Sequence, residues 1–484
     1  MTQQPTRAAA PAPARQHGEP DTGRRPWATL GLMLLAQFMV ILDVSVVNVA
    51  LPSIGSALDF TSGDYQWVVS AYVLFSGGLL LLGGRLADLV DRRSIFLAGL
   101  VTFTLASLAS GLAGSATTLI VARAAQGLGA AMLTPAALSI IMTAYTGKQR
   151  AAALSVWGAI GSTGIAAGVL FGGVLTSALG WQAVFFINVP IGVAVAGLTL
   201  RIVPAGVTAL SGLRRLDLPG AATVVSGLVV LVYAIEGTNT HGWDSARTWF
   251  LLALGGALLT AFAVIERTVA TPLVPPHAWR IRSLVSGSAV MAGVTGVVVG
   301  VIFLSSLYLQ RVVGSSAVET GLQFLPLALA ITLAAMVASK QLDRFDPRSM
   351  IAFGLVVMAL GAFVMAQAGG TSYAFDVLPG FLLMGAGVGP MFVAISVVAM
   401  RDVPPAQSGL ASGLMMTGHE VGAALGVAVL TVVGGDLTTR AGLVEAYPRS
   451  FTGVIVILGA LLVLTLAAVP KRTAGTADRP ALHH

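Results

Sequence analysis

Fourteen stretches of this chain are apolar over about the length a helix needs to cross a bilayer. A hydrocarbon core of ~30 Å takes about 20 helical residues, and it holds no water to satisfy backbone N–H and C=O groups. Each stretch must close its own hydrogen bonds, so the expected fold class is an all-α polytopic membrane protein. The segments fall at 28–51, 66–83, 94–112, 116–143, 151–176, 182–203, 218–236, 247–265, 284–309, 321–340, 349–368, 374–400, 407–433 and 451–469. An even number of crossings puts both termini on one side. Composition points the same way: 56% of residues are hydrophobic and 10% are charged, whereas soluble domains carry roughly a quarter charged residues.

Lysine and arginine in the loops set the orientation. Of the 27 such residues, Arg247, Arg311, Arg440 and Arg449 fall on one side, Arg123 lies inside the fourth segment, and all others share the side of the termini. Both termini are therefore expected to be cytoplasmic. Trp27, Trp67, Trp181, Trp243, Trp249 and Trp279 sit at segment ends, as an interfacial belt requires, and only Trp157 falls within a segment. The net charge of +7 is spread over short loops with no contiguous stripe, so no nucleic-acid partner is expected. The absence of cysteine excludes disulfides and thiolate metal sites. No nucleophile-and-base pair, metal-ligand set or G-x-x-x-x-G-K-[ST] loop emerges, so no enzyme activity, metal or cofactor is expected. Residues 1–26 read as a disordered cytoplasmic tail, not a cleaved signal, and 471–484 as a second tail.

A charged side chain at bilayer depth costs several kcal/mol by most estimates, which makes it a functional pointer. Asp43 lies roughly 13 Å below the outer end of the first segment, and Arg123 roughly 10 Å below the same surface in the fourth. Matched depths make them a pair, and protonation of Asp43 would release Arg123; a static packing pair is the alternative. Glu420, in the middle of the thirteenth segment, fits a proton carrier or cation site, or a permanently protonated packing acid. Its neighbour His419 points about 100° away along the helix and fits either a packing histidine or a cavity residue. Proton coupling is thus expected at Asp43, Arg123 and Glu420. Gln37, Asn48, Gln126 and Asn188 are intramembrane amides that suit substrate contact or helix-to-helix hydrogen bonding. Glu236 and Asp376 read as solvated boundary residues. Gly418, Gly422 and Gly426 repeat every four residues, giving a flat face for close helix crossing.

Several motifs then accumulate. Leu42–Pro52 reads LDVSVVNVALP, the second segment opens WVVSAYVL, Gly84–Arg93 reads GRLADLVDRR, Leu119–Ala131 reads LIVARAAQGLGAA, and Tyr308–Pro326 reads YLQRVVGSSAVETGLQFLP. With these the chain resembles the fourteen-helix drug:proton antiporter branch of the major facilitator superfamily over nearly its whole length. Gly84, Asp88, Asp91, Arg92 and Arg93 match motif A, with Asp91 where a second glycine is usual and Leu89 where a basic residue is usual. Gly164, Gly168, Gly172 and Gly173 follow the spacing of motif C, with Val169 in place of its proline.

The resemblance implies the major facilitator fold, two six-helix bundles plus two inserted helices. A weak internal repeat, D-x-x-D-x-R-S at 88–94 and 343–349, favours that division: 27–203, an insertion at 204–283, and 284–470. The implied activity is secondary active efflux of amphipathic small molecules (drugs, antibiotics, lipophilic cations) in exchange for protons, by alternating access. The partners expected are protons, the substrate and membrane lipid, and the location a monomer in the bacterial cytoplasmic membrane. An exporter dedicated to one metabolite or self-made antibiotic is the nearest rival, and a non-transporting ligand sensor is the rival from another class.

Overall fold

The computed structural model describes residues 26–145, 147–205, 217–269, 271–342, 344–368, 372–404 and 407–471. The two tails, and the side chains of Asp88, Leu89 and Val169, lie outside the described residues, as does Asp343. The long helices are α1 (Pro26–Ala57), α2 (Ser62–Leu89), α3 (Arg92–Gly111), α4 (Ala116–Ala144), α5 (Gly147–Leu179), α6 (Asn188–Ile202), α7 (Leu218–Glu236), α8 (Ala246–Thr268), α9 (Arg282–Tyr308), α10 (Ala317–Gln341), α11 (Pro347–Ala366), α12 (Leu378–Met400), α13 (Ser408–Gly434) and α14 (Arg440–Ala468). Among the described residues 13 spans are long and apolar enough to cross a membrane. The remaining expected segment, 151–176, falls in α5, 33 residues long, of whose side chains only part are described.

The helices overrun their apolar windows, most of all at α14, which begins at Arg440 rather than near 451. Pro448 and an exposed Glu445–Arg449 pair at 3.0 Å hide that start from a hydropathy reading. Polar side chains beyond the hydrocarbon stay solvated without breaking the backbone ladder, so the helix continues through them. Side chains that accept the first free N–H groups mark several starts. Asp91 accepts from the Ser94 amide (3.1 Å) and hydroxyl (2.8 Å), so the unusual motif A residue is the N-cap of α3. Ser316 and Glu319 form a capping box on α10.

The same packing occurs twice. In the first half α1 lies on α5, α2 on α4, and α3 on α4 and α6; in the second, α9 lies on α13, α10 on α12, and α11 on α12 and α14. The halves meet where α2 packs on α13 and α5 on α10, the two pairs a two-fold relation would exchange. The inserted helices α7 and α8 pack on each other, and α7 also lies against both α2 and α13, covering one of these seams. Outward-facing Leu105, Val121, Leu329, Phe353 and Val456 stay exposed, a surface that lipid covers and water would not tolerate over such an area. Trp27, Trp243, Trp249 and Trp279 are exposed at helix ends, but Trp181 is buried, its ring 6.2 Å from that of Phe185.

Candidate functional site

Four helices converge on one buried carboxylate. Asp43 on α1, fully enclosed, accepts from Arg123 Nη1 of α4 at 2.5 Å through Oδ2. Its Oδ1 accepts from Gln126 Nε2 at 2.7 Å and from Asn188 Nδ2 of α6 at 2.9 Å. Ser107 Oγ of α3 accepts from the same two amides, at 2.6 and 3.1 Å. Arg123 further donates from Nη1 to Gln126 Oε1 at 2.8 Å and from Nε to the Val68 carbonyl at 3.1 Å, and its guanidinium lies 4.3 Å from the Tyr72 ring centre. Among the described residues every hydrogen-bond partner of Asp43 is a donor. That is the pattern of an ionised acid; a proton on either oxygen would face an N–H and force one bond to break.

The pair expected from matched depths is thus joined by Gln126 and Asn188, which contact Asp43 rather than the cavity described next. Ser107 and Tyr72 belong to the same cluster and escaped the sequence reading, because serine and tyrosine inside apolar segments carry no charge signal. Asn48 lies elsewhere: its side-chain amide donates to the Val44 carbonyl at 2.8 Å, and its backbone carbonyl accepts from Ser306 Oγ of α9 at 2.7 Å.

A cavity of about 730 Å³ opens between the halves on the face where α1 begins and α14 ends. Gln37, Thr134, Ser139, Trp157, Met415 and His419 line it, with Arg85, Gln407 and His277 nearer its mouth. Asp43 lies six residues beyond Gln37, about 9 Å of helix further from the opening. Of the proposed substrate contacts, Gln37 and His419 reach the cavity wall. Glu420 is turned aside: a Cβ on Gly77 of α2 would stand 2.3 Å from the Glu420 Cβ, and its Oε1 is 3.7 Å from His419 Nδ1. The mid-segment acid is therefore in the α2/α13 seam, beside its neighbour's imidazole.

The opposite face is closed. Ser306 and Gln310 of α9 and its extension donate to the carbonyls of Asn48 and Val49, at 2.7 and 2.9 Å. Arg311 donates to the Tyr65 hydroxyl and to the carbonyls of Leu437 and Thr438. Gly173 of α5 meets α10 so closely that an added Cβ would stand 2.5 Å from the Ala317 carbonyl oxygen. Within the first half, Gly164, Gly168 and Gly172 seat α5 on Ile41, Ser45 and Val46 of α1. Of the motif A residues, Gly84 lines the cavity and Arg93 donates to the Leu200 carbonyl at 3.1 Å.

The segment between α8 and α9 crosses the cavity mouth as a strap. Arg85 Nη2 donates to the Pro272 carbonyl at 3.0 Å, and the buried Glu266 of α8 accepts from the amides of Leu273 (3.2 Å) and Val274 (2.8 Å). Leu273 and Val274 are themselves buried, so Glu266→Ala leaves two enclosed N–H groups without partners, a cost of about 1–3 kcal/mol. Hydrogen exchange of these amides should accelerate by roughly 10- to 100-fold in Glu266→Ala. Unchanged exchange at both would show that the strap does not depend on this carboxylate.

A buried charge cluster on one side of a cavity, shared by two similarly packed helical halves, defines a membrane transporter and not an enzyme. Residues 33–427 match the model of the Major Facilitator Superfamily, and the chain belongs to that superfamily. It is 39% identical over 462 residues to the cephamycin export protein of Amycolatopsis lactamdurans, covering 93% of this chain and 95% of the relative. It is 38% identical to the puromycin resistance protein of Streptomyces alboniger, covering 90% and 86%. Among solved structures, a bacterial homolog of the human lysosomal transporter Spinster, inward-facing and occupied, matches with a TM-score of 0.65 at 18% identity, over 93% of this chain and 97% of that one. A tetrameric PepTSo2 structure matches with a TM-score of 0.64 at 14% identity, over 92% and 99%.

Proposed function

We propose that the protein exports amphipathic small molecules across the bacterial cytoplasmic membrane in exchange for protons, with 27–203 and 284–470 alternating around the central cavity and 204–283 inserted between them. The observation that carries this reading is the all-donor surround of Asp43, fully buried beyond the end of a large cavity open to one face. One proton on Asp43 neutralises the partner of Arg123 and breaks one of the three hydrogen bonds it accepts, a local event able to bias how α1, α4 and α6 sit together. At ~100 mV one charge crossing the membrane is worth about 2.3 kcal/mol, roughly a 50-fold gradient before any pH difference. Antibiotics are the substrate class to try first, since relatives covering most of the chain are named for exporting or resisting single antibiotics. Those names also favour the second reading, an exporter dedicated to one such compound.

The test is transport by the purified protein in proteoliposomes, across a panel of antibiotics, with and without an imposed proton gradient. Gradient-dependent movement of at least one compound supports the reading, and gradient-independent equilibration of all of them overturns it. Cytoplasmic termini are part of the proposal. In this cysteine-free chain, a cysteine at Thr438 should react with an impermeant maleimide outside intact cells, and one at Ser211 only after permeabilisation. The reverse pattern would invert the topology.

A further inference from the structure

We propose that the cavity is built for amphiphiles carrying a carboxylate, and that Arg85 and His419 set this preference; the inference rests on the export reading above and narrows its substrate class. The titratable side chains on the cavity wall, among the described residues, are Arg85, His277 and His419, and no aspartate or glutamate is present there. The two acids closest in the fold do not compensate. Asp43 has no exposed surface and is committed to Arg123, Gln126 and Asn188. Glu420 has its stem against Gly77 and its carboxylate beside the His419 ring, with 14% of the side chain exposed against 36% for His419.

An organic cation entering this space gives up hydration and meets no opposite charge on the described wall, a loss that apolar contact does not replace. An anion meets the opposite situation. Arg85 is held at the mouth through one bond to the Pro272 carbonyl, and a guanidinium has five N–H donors in a fork that matches a carboxylate. Further in, His419 lines the cavity, with Nδ1 buried 3.7 Å from Glu420 Oε1 and the rest of the ring toward the cavity. The apolar body of the ligand finds Trp157, Met291, Met415 and Met416 on the same wall, a flexible thioether and aromatic surface that accepts varied shapes. A guanidinium at the mouth and an imidazole further in give an acid two partners at different depths.

The experiment uses full-length protein in nanodiscs and radiolabelled 1-naphthylacetate, displaced by unlabelled 1-naphthylacetate, its amide, and 1-naphthylmethylammonium. The acid should displace label at about tenfold lower concentration than the amide, and the ammonium should be weakest. Arg85→Gln and His419→Gln should each weaken the acid about tenfold and leave the amide unchanged, which also reports that the cavity is intact. Arg85→Lys should keep most of the preference, as charge is retained while the fork is lost. Equal or tighter binding of the ammonium overturns the charge preference while leaving amphiphile export standing. Equal loss of acid and amide in both variants makes the two residues packing elements and overturns their assignment. If none of the three binds while an antibiotic of the panel is moved under a gradient, this inference fails and the export reading stands.

Discussion

Asp43→Asn should abolish gradient-driven transport, by at least 100-fold, while substrate counterflow across the same vesicles continues. Counterflow needs the cavity and the conformational cycle but no net proton movement, so the two assays separate coupling from folding. The amide keeps the shape of the carboxyl but cannot be protonated and released. It also fits its site poorly. Among the described residues all three partners of Asp43 are donors, so the new NH2 group must confront one of them. Arg123 retains the Val68 carbonyl, Gln126 Oε1 and the face of Tyr72, which limits the stability cost to about 2 kcal/mol, near that of one charge-assisted hydrogen bond. Arg123→Lys should be impaired as well, since an ammonium cannot reach Asp43, Gln126 and the Val68 carbonyl from one planar group. Retained gradient-driven accumulation in Asp43→Asn would falsify the coupling role and leave the pair a packing element.

Charge and hydropathy carried much of this site into the sequence, because an aspartate and an arginine inside apolar helices have few ways to be satisfied. Their helical depths matched, and the structure joins them. Gln126 and Asn188 were visible as intramembrane amides but not as ligands of Asp43, since an amide signals neither its partner nor its direction. Ser107 and Tyr72 were invisible, being ordinary residues in an apolar helix until α2, α3 and α4 are packed. Glu420 shows the limit from the other side. Its depth is readable at one residue, but its direction depends on Gly77 leaving room on α2. The strap was missed because Glu266 reads as a charge at a helix end. Only the return of Leu273 and Val274 to it reveals a buried acceptor. Hydropathy likewise hid the first turns of α14, whose charges and proline resemble a loop although their backbone is helical.

Gly422→Ala and Gly426→Ala should each reduce folded protein severely, and the reason lies in how α9 and α13 cross. Without a hydrophobic drive between helices in lipid, association depends on close van der Waals contact, which small residues permit. Here the contact is backbone on backbone. A Cβ on Gly426 would stand 2.1 Å from the Gly296 carbonyl oxygen and 2.3 Å from its Cα, and one on Gly422 would stand 2.1 Å from the Ala292 carbonyl oxygen. No side-chain rotamer can relieve that overlap, so the helices must separate along the whole crossing, including Gly418 against Ser288. Overpacking in a soluble core costs about 1–3 kcal/mol, and a rigid backbone partner places these two substitutions at or above the upper end. Gly459→Ala on α14 is the matched control. Nothing lies within 4 Å of its added Cβ, and alanine gains about 1 kcal/mol of helix propensity over glycine. In a detergent thermal-stability assay the first two should fall well below the parent, and Gly459→Ala should match or exceed it. Parent-like stability in both seam variants would mean that α9 and α13 do not cross at the distance described, and the four-residue glycine spacing would then have no structural role.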